Sequence, residues 1–220
     1  SSATESNLVQ YLADNELREV KVRLNQYAPG GEWSRLFRNR GVGAGWRYTI
    51  GMLSCLFYTV LPGRIFGGDS YNPYTDSISL YSDIPSIAIH EGGHAKDFGQ
   101  REYRGTYAFF YGLPILALYP EGKATGDAIG YIRTYQSSDD EKAAYKILYP
   151  AYGTYIGGSI GVFTTYGDLL AAAGAIPGHI AGRRKARHVE DRPAPARVTT
   201  VEAPPPAAAL ASPTHVVSDH

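Results

Sequence analysis

Residues 89–95 read Ile-His-Glu-Gly-Gly-His-Ala, IHEGGHA, and the fold is decided by whether this stretch is helical. On a helix, His90 and His94 stand about one turn apart on one face, with Glu91 beside them. The flanks predict that helix. Ser82-Asp83-Ile84-Pro85 is a start signal, with Ser82 or Asp83 as N-cap and Pro85 in the first turn. The predicted helix runs from about 84 to 99. Before it, Ser77–Tyr81 (SISLY) alternates in polarity and predicts a short strand.

The spacing has a chemical consequence. Two imidazoles four residues apart can reach one ion, with zinc–nitrogen bonds of about 2.0–2.1 Å. Glu91 is too close in sequence to be a third ligand and is well placed to take a proton from a metal-activated water. His90 and His94 are therefore the candidate metal ligands, Zn2+ the expected cofactor and Glu91 the candidate catalytic base. Asp97, three residues after His94 and on nearly the same face, is the candidate outer carboxylate and could itself be a ligand. The single cysteine, Cys55, excludes an intramolecular disulfide framework and a cysteine-based zinc site. It sits in an apolar run and reads as a plain buried thiol.

The strand, the helix and its H-E-x-x-H pattern resemble the zincin metallopeptidases, over roughly residues 77–135. That resemblance implies a small α+β core and a substrate backbone bound along the strand edge, here Ser77–Tyr81. The glutamate-liganded branch takes its third ligand from a following helix. The similar stretch here is Glu121-Gly122-Lys123-Ala124-Thr125, which implies His90, His94 and Glu121 as the metal set. Ala124 and Ala128 share a face that could pack closely on the first helix. Gly93 departs from the family pattern and is expected to loosen the helix where members often hold a bulkier residue.

Away from the motif, three stretches are apolar. Residues 48–62 carry no charge, and extended back to Val42 they reach the length of about 20 residues that crosses a bilayer, with Arg47 near one end. Residues 147–167 hold no Asp, Glu, Lys or Arg, which meets the same length test. Gly153, Gly157 and Gly161, spaced by four, line one face and let a second helix come close, a mode typical inside membranes. Residues 106–119 are apolar but too short for a simple span, and a second helix start follows them, with Pro120 in its first turn. The 18 tyrosines suit a membrane boundary.

The remaining segments are polar. Residues 5–27 predict a surface helix that APGG at 28–31 stops. Basic clusters at Arg35–Arg47 and RRKARH (183–188) place both ends on the cytoplasmic side of a membrane, with the motif on the periplasmic or lumenal side. Residues 189–220 are too rich in proline and alanine to bury a core. With Lys and Arg balancing Asp and Glu at 21 each, no nucleic-acid partner is expected.

The expected fold is mainly α, with a small α+β zincin-like core and one or two transmembrane helices. Its parts are an N-terminal amphipathic helix and basic linker (1–41), a membrane-crossing helix (42–62), the zincin-like domain (63–138), a second membrane-crossing helix with a glycine zipper (139–182) and a basic, Pro/Ala-rich tail (183–220). The expected function is a membrane-associated zinc metallopeptidase with peptide substrates. The alternative is a catalytically inactive, zincin-like subunit of a respiratory or photosynthetic membrane complex. The expected partners are the lipid bilayer and other membrane protein subunits.

Overall fold

The computed structural model describes residues 2–61, 63–66 and 68–195, and the tail expected to lack a core falls outside the described residues beyond 195. In chain order the elements are α1 (Ser2–Asp14), β1 (Lys21–Leu24), α2 (Pro29–Arg38), α3 (Ala44–Trp46), a π turn (Arg47–Gly51), α4 (Met52–Val60), α5 (Gly63–Phe66), β2 (Ser70–Asn72) and β3 (Ser77–Leu80). Then follow α6 (Pro85–Gly99), α7 (Arg104–Tyr111), α8 (Pro114–Tyr135), α9 (Ser138–Gly161) and α10 (Gly167–Arg187).

α6 is the centre. Nearly every residue from Ser86 to Phe98 is buried, the signature of a helix enclosed on all sides. Two glycines let neighbours in. A Cβ on Gly92 would meet the Tyr11 ring of α1 at 2.6 Å, and one on Gly93 would meet the Ala124 backbone of α8 at 3.1 Å. Gly93 therefore does not loosen the helix. Its missing side chain is the space that α8 fills, with Ala124 and Ala128 fully buried.

The sheet has the order β1-β3-β2. β3 is central, parallel to β1 and antiparallel to β2. The strand preceding α6 thus has no free edge; the edges of the sheet are β1 and β2. A buried ion pair ties α2 to this sheet: Arg23 Nε donates to Glu32 at 2.6 Å, and Ser77 Oγ donates to the other Glu32 oxygen at 2.5 Å. Pro85 opens α6 as expected, but Ile84 is its N-cap and no side chain caps it. Ser82 bonds Asp69 instead, and Asp83 accepts from Thr4.

Three expectations are corrected. The helix expected over 5–27 ends at Asp14. Glu16 takes a positive φ of 57°, and 21–24 pairs as β1, because Val22 and Leu24 gain more against the sheet than along a helix. Pro29 starts α2 rather than stopping a helix, as proline does at a first helical turn. Likewise α8 begins at Pro114, not at Pro120, and carries Pro120 buried within it.

The largest correction concerns the membrane. Among the described residues no helix is long and apolar enough to cross one. The run at 42–62 gives one continuous helical stretch, α3, the π turn and α4, within which Arg47 turns inward, is buried and donates to the Phe37 carbonyl at 2.9 Å. From Ala44 to Val60 it is about 25 Å long at 1.5 Å per residue, short of a hydrocarbon core of about 30 Å. The segment 139–182 is two helices. The first turn of α9 carries Asp139, Asp140 and Glu141, and the chain reverses over 162–166 into α10. The expected sidedness loses the spans on which it rested.

The glycine face closes this hairpin on itself. A Cβ at Gly153 would collide with the Gly174 carbonyl, at Gly157 with that of Leu170, and at Gly161 with the Gly167 backbone. From the other side, Gly178 and Gly182 meet the Tyr149 and Tyr145 carbonyls. A side chain here has only rigid backbone to displace. Gly157→Val is expected to lower stability by about 3 kcal/mol or more, read by thermal or urea unfolding. Gly126→Ala, in open space on α8, is expected to raise it by up to about 1 kcal/mol.

Candidate metal centre

α6 contributes two imidazoles. His90 and His94 point the same way, with ring centroids 4.7 Å apart, nearly perpendicular, and Nε2 atoms 3.1 Å apart. α8 contributes Glu121, 1% exposed, with Oε2 at 3.2 Å from His90 Nε2 and Oε1 at 3.3 Å from His94 Nε2. These are the only three residues among those described that gather His, Cys, Asp or Glu donors within ligand distance of one another.

The donor set fits a divalent cation. A tetrahedral zinc site with bonds of about 2.0–2.1 Å has ligand–ligand edges of about 3.3–3.4 Å, close to the three separations found. Two neutral nitrogens and one carboxylate match zinc's preferences. The carboxylate is ready for this role. Burial works against its ionisation, but hydrogen bonds and charge from His90 and His94 hold Glu121 well below the usual carboxylate range.

The surrounding groups hold the ligands. Tyr111 of α7 donates to Glu121 Oε1 at 2.6 Å, and its ring lies 5.4 Å from that of His94. Thr125 Oγ1 lies 3.4 Å from His90 Nδ1. It is one turn beyond Glu121 on α8, so one helix face supplies both a ligand and the support of another ligand. His94 Nδ1 is buried with no hydrogen-bond partner, so on that side of the ring packing, not a hydrogen bond, supports the imidazole.

Glu91 is buried beside the cluster. Its carboxyl is pushed up to about 7: burial is the largest cause, opposed by His90 and a hydrogen bond from the Tyr71 backbone N–H on β2, and aided by the charges of Glu121 and Asp69. A carboxylate of this kind suits proton transfer near neutrality. Asp97 is placed differently. It accepts from Lys123 at 2.5 Å, Tyr107 at 2.5 Å and Arg101 at 2.6 Å. Burial would raise its pKa, yet these three partners lower it. It fastens α6 to α7 and α8 from behind the ligands. Glu102 is exposed in the turn before α7, and His179 and His188 are exposed on α10 and at its end.

Two clefts flank the cluster. One, of about 460 Å³, is lined by His90, Glu91, Thr125, Leu148, Tyr152 and Tyr155. The other, of about 500 Å³, reaches Tyr111 and runs along β2 at Ser70–Asn72. Tyr155 of α9 stands near enough to Glu121 and Glu91 that their charges, after burial, push its hydroxyl well above the usual tyrosine value. It stays protonated and available as a donor.

No family model matches the chain, and no curated protein or solved structure matches it closely enough to carry an argument.

Thr125 was discoverable by its helical spacing from Glu121. Tyr111, Tyr155 and the Tyr71 N–H carry no such signal, because tertiary packing alone brings them in.

The packing generates two contrasting expectations. Thr125→Val removes the partner of His90 and is expected to weaken zinc affinity about tenfold, read by competition with a chelating dye. Gly92→Ala presses on Tyr11, on a flank of α6 away from Glu121, and is expected to lower the melting temperature while zinc affinity changes less than about twofold.

Proposed function

We propose that this chain is a zincin-like, zinc-dependent hydrolase of peptide bonds. The observation that carries the reading is the set of three ligand atoms at tetrahedral-edge spacing with the buried carboxyl of Glu91 beside them. A zinc ion held by His90, His94 and Glu121 supplies Lewis acidity toward water and toward a substrate carbonyl.

The chain's own groups do the rest. Glu91 takes a proton from the water that attacks the carbonyl carbon. The same carboxyl returns that proton to the amine as the carbon–nitrogen bond breaks. The Tyr155 hydroxyl lines the cleft and donates to the carbonyl oxygen as negative charge develops there. Tyr111 keeps Glu121 fixed through its 2.6 Å hydrogen bond. β2 is a sheet edge and lines the larger cleft, whereas β3 is paired on both sides, so an extended peptide would be gripped along β2, not β3.

The alternative of an inactive subunit drew in part on a glycine face open to a neighbouring helix. That face is covered by α10 of the same chain, which removes that ground for it.

The test is turnover of a mixed peptide library, read as new α-amines from the zinc-loaded chain. Glu91→Gln is expected to lower kcat by about 10²–10⁴-fold while zinc stays bound. Tyr155→Phe is expected to lower kcat about 10²-fold with little change in KM. No amine release by the zinc-loaded wild type, or an undiminished Glu91→Gln, contradicts the reading.

A further inference from the structure

Three charge-free runs meet on one side of the molecule. Residues 48–61, 105–120 and 147–167 contain no Asp, Glu, Lys or Arg. The first run forms α4, the second forms α7 and the start of α8, and the third forms the far half of α9 and the turn to α10. They adjoin. The Trp46 ring, just before the first run, lies 5.2 Å from that of Phe109, and its Nε1 donates to Thr106 at 3.2 Å. Ile50 and Ser54 face Leu113 across the larger cleft. Ser159 Oγ donates to the Pro114 carbonyl at 2.6 Å, and the Tyr152 hydroxyl donates to that of Leu118 at 3.2 Å.

The belt leaves large apolar side chains in the open. Leu56 and Phe57 on α4, Ile115 and Leu116 on α8, and Ile160 and Phe163 at the hairpin end are all exposed, Phe163 at 74%. On α1, by contrast, Val9 is the one large hydrophobic exposed among the described residues. Contiguous apolar surface of this kind marks an interaction face.

A basic cleft borders the belt. About 450 Å³ in volume, it is lined by Arg35, Arg38, Arg40 and Arg104 against only two acids, Glu19 and Asp76. Arg35 is committed to the carbonyls of Thr75, Glu19 and Asp76. Arg38 and Arg40 lie exposed at the surface. Gly41, where the chain turns toward α3, lies against the Arg104 guanidinium that opens α7. Both α3–α4 and α7 therefore run from the basic cleft into the belt.

We propose that this face docks on an anionic lipid bilayer, with the belt in the headgroup and upper acyl region and the arginine cleft against lipid phosphates. The charge pattern selects lipid as the occupant. Apolar and aromatic residues without any carboxylate, rimmed by arginine, match an interface that is greasy below and negative above. Among the described residues no helix is long and apolar enough to cross a bilayer, so the proposal places this face on the membrane surface. Docking is independent of turnover, because vesicle binding reads it without any substrate.

The test is co-sedimentation of the full chain with phosphatidylcholine vesicles and with vesicles that also contain phosphatidylglycerol, beside light scattering of the chain alone. Wild type is expected to favour the anionic vesicles about tenfold. Phe57→Glu with Phe163→Glu is expected to lower binding to both about tenfold or more, and Arg38→Glu with Arg40→Glu to abolish the anionic preference. Val9→Glu, on α1, is expected to change neither. Unaltered circular dichroism shows that the variants fold. Absence of wild-type binding to either vesicle overturns the proposal. So does self-association in solution that the Phe57 and Phe163 changes disrupt while vesicle binding stays as in wild type, since the face would then seat a second copy.

Discussion

The approach of α8 to α6 at Gly93 is the constraint on which the rest depends. Glu121 reaches the two imidazoles only because the Ala124 backbone sits where a Gly93 side chain would be. One glycine thus converts a pair of helical histidines into a three-donor site. The same device works on the opposite flank, where Gly92 admits the Tyr11 ring, whose hydroxyl donates to Asp127 back on α8. Lys96 of α6 reaches the same Asp127 at 2.5 Å. α1, α6 and α8 are locked together at the motif itself.

Close helix approach recurs in the α9–α10 hairpin, to a different end. There the glycines bring carbonyls against opposing backbone along the whole interface. Such packing leaves no room for side chains between the helices, so the larger apolar residues turn outward. The hairpin is therefore rigid and greasy at once. Its near half supplies Leu148, Tyr152 and Tyr155 to the metal cleft, and its far half supplies exposed Ile160 and Phe163. The proposed chemistry and the proposed surface attachment thus share one element.

Local signals in the chain carried the centre of this picture well. The polarity alternation of Ser77–Leu80, Pro85 as a first-turn residue and the i, i+4 histidines all depend on neighbours within a few residues. The resemblance at residues 121–125 led to Glu121, which lies with the histidines. What escaped was decided by distant contacts. β1 reads as part of a charged helix until its pairing with β3 is known. β3 looks like a lone strand until β2 takes its free side. The expectation of membrane spans rests on missing charge, run length and the glycine face, and none of these reveals a buried Arg47 or a reversal at 162–166. A glycine face predicts a close helix partner equally well whether that partner comes from another chain or, as here, from the next helix.

The central claim is that His90, His94 and Glu121 act together on one ion. X-ray absorption at the zinc edge, on protein loaded with one equivalent, tests it directly. The account predicts one zinc per chain, with imidazole scattering from two histidines and a carboxylate oxygen at about 2.0–2.2 Å, and loss of that oxygen in Glu121→Ala. Failure to retain zinc, or a spectrum unchanged by Glu121→Ala, would contradict it.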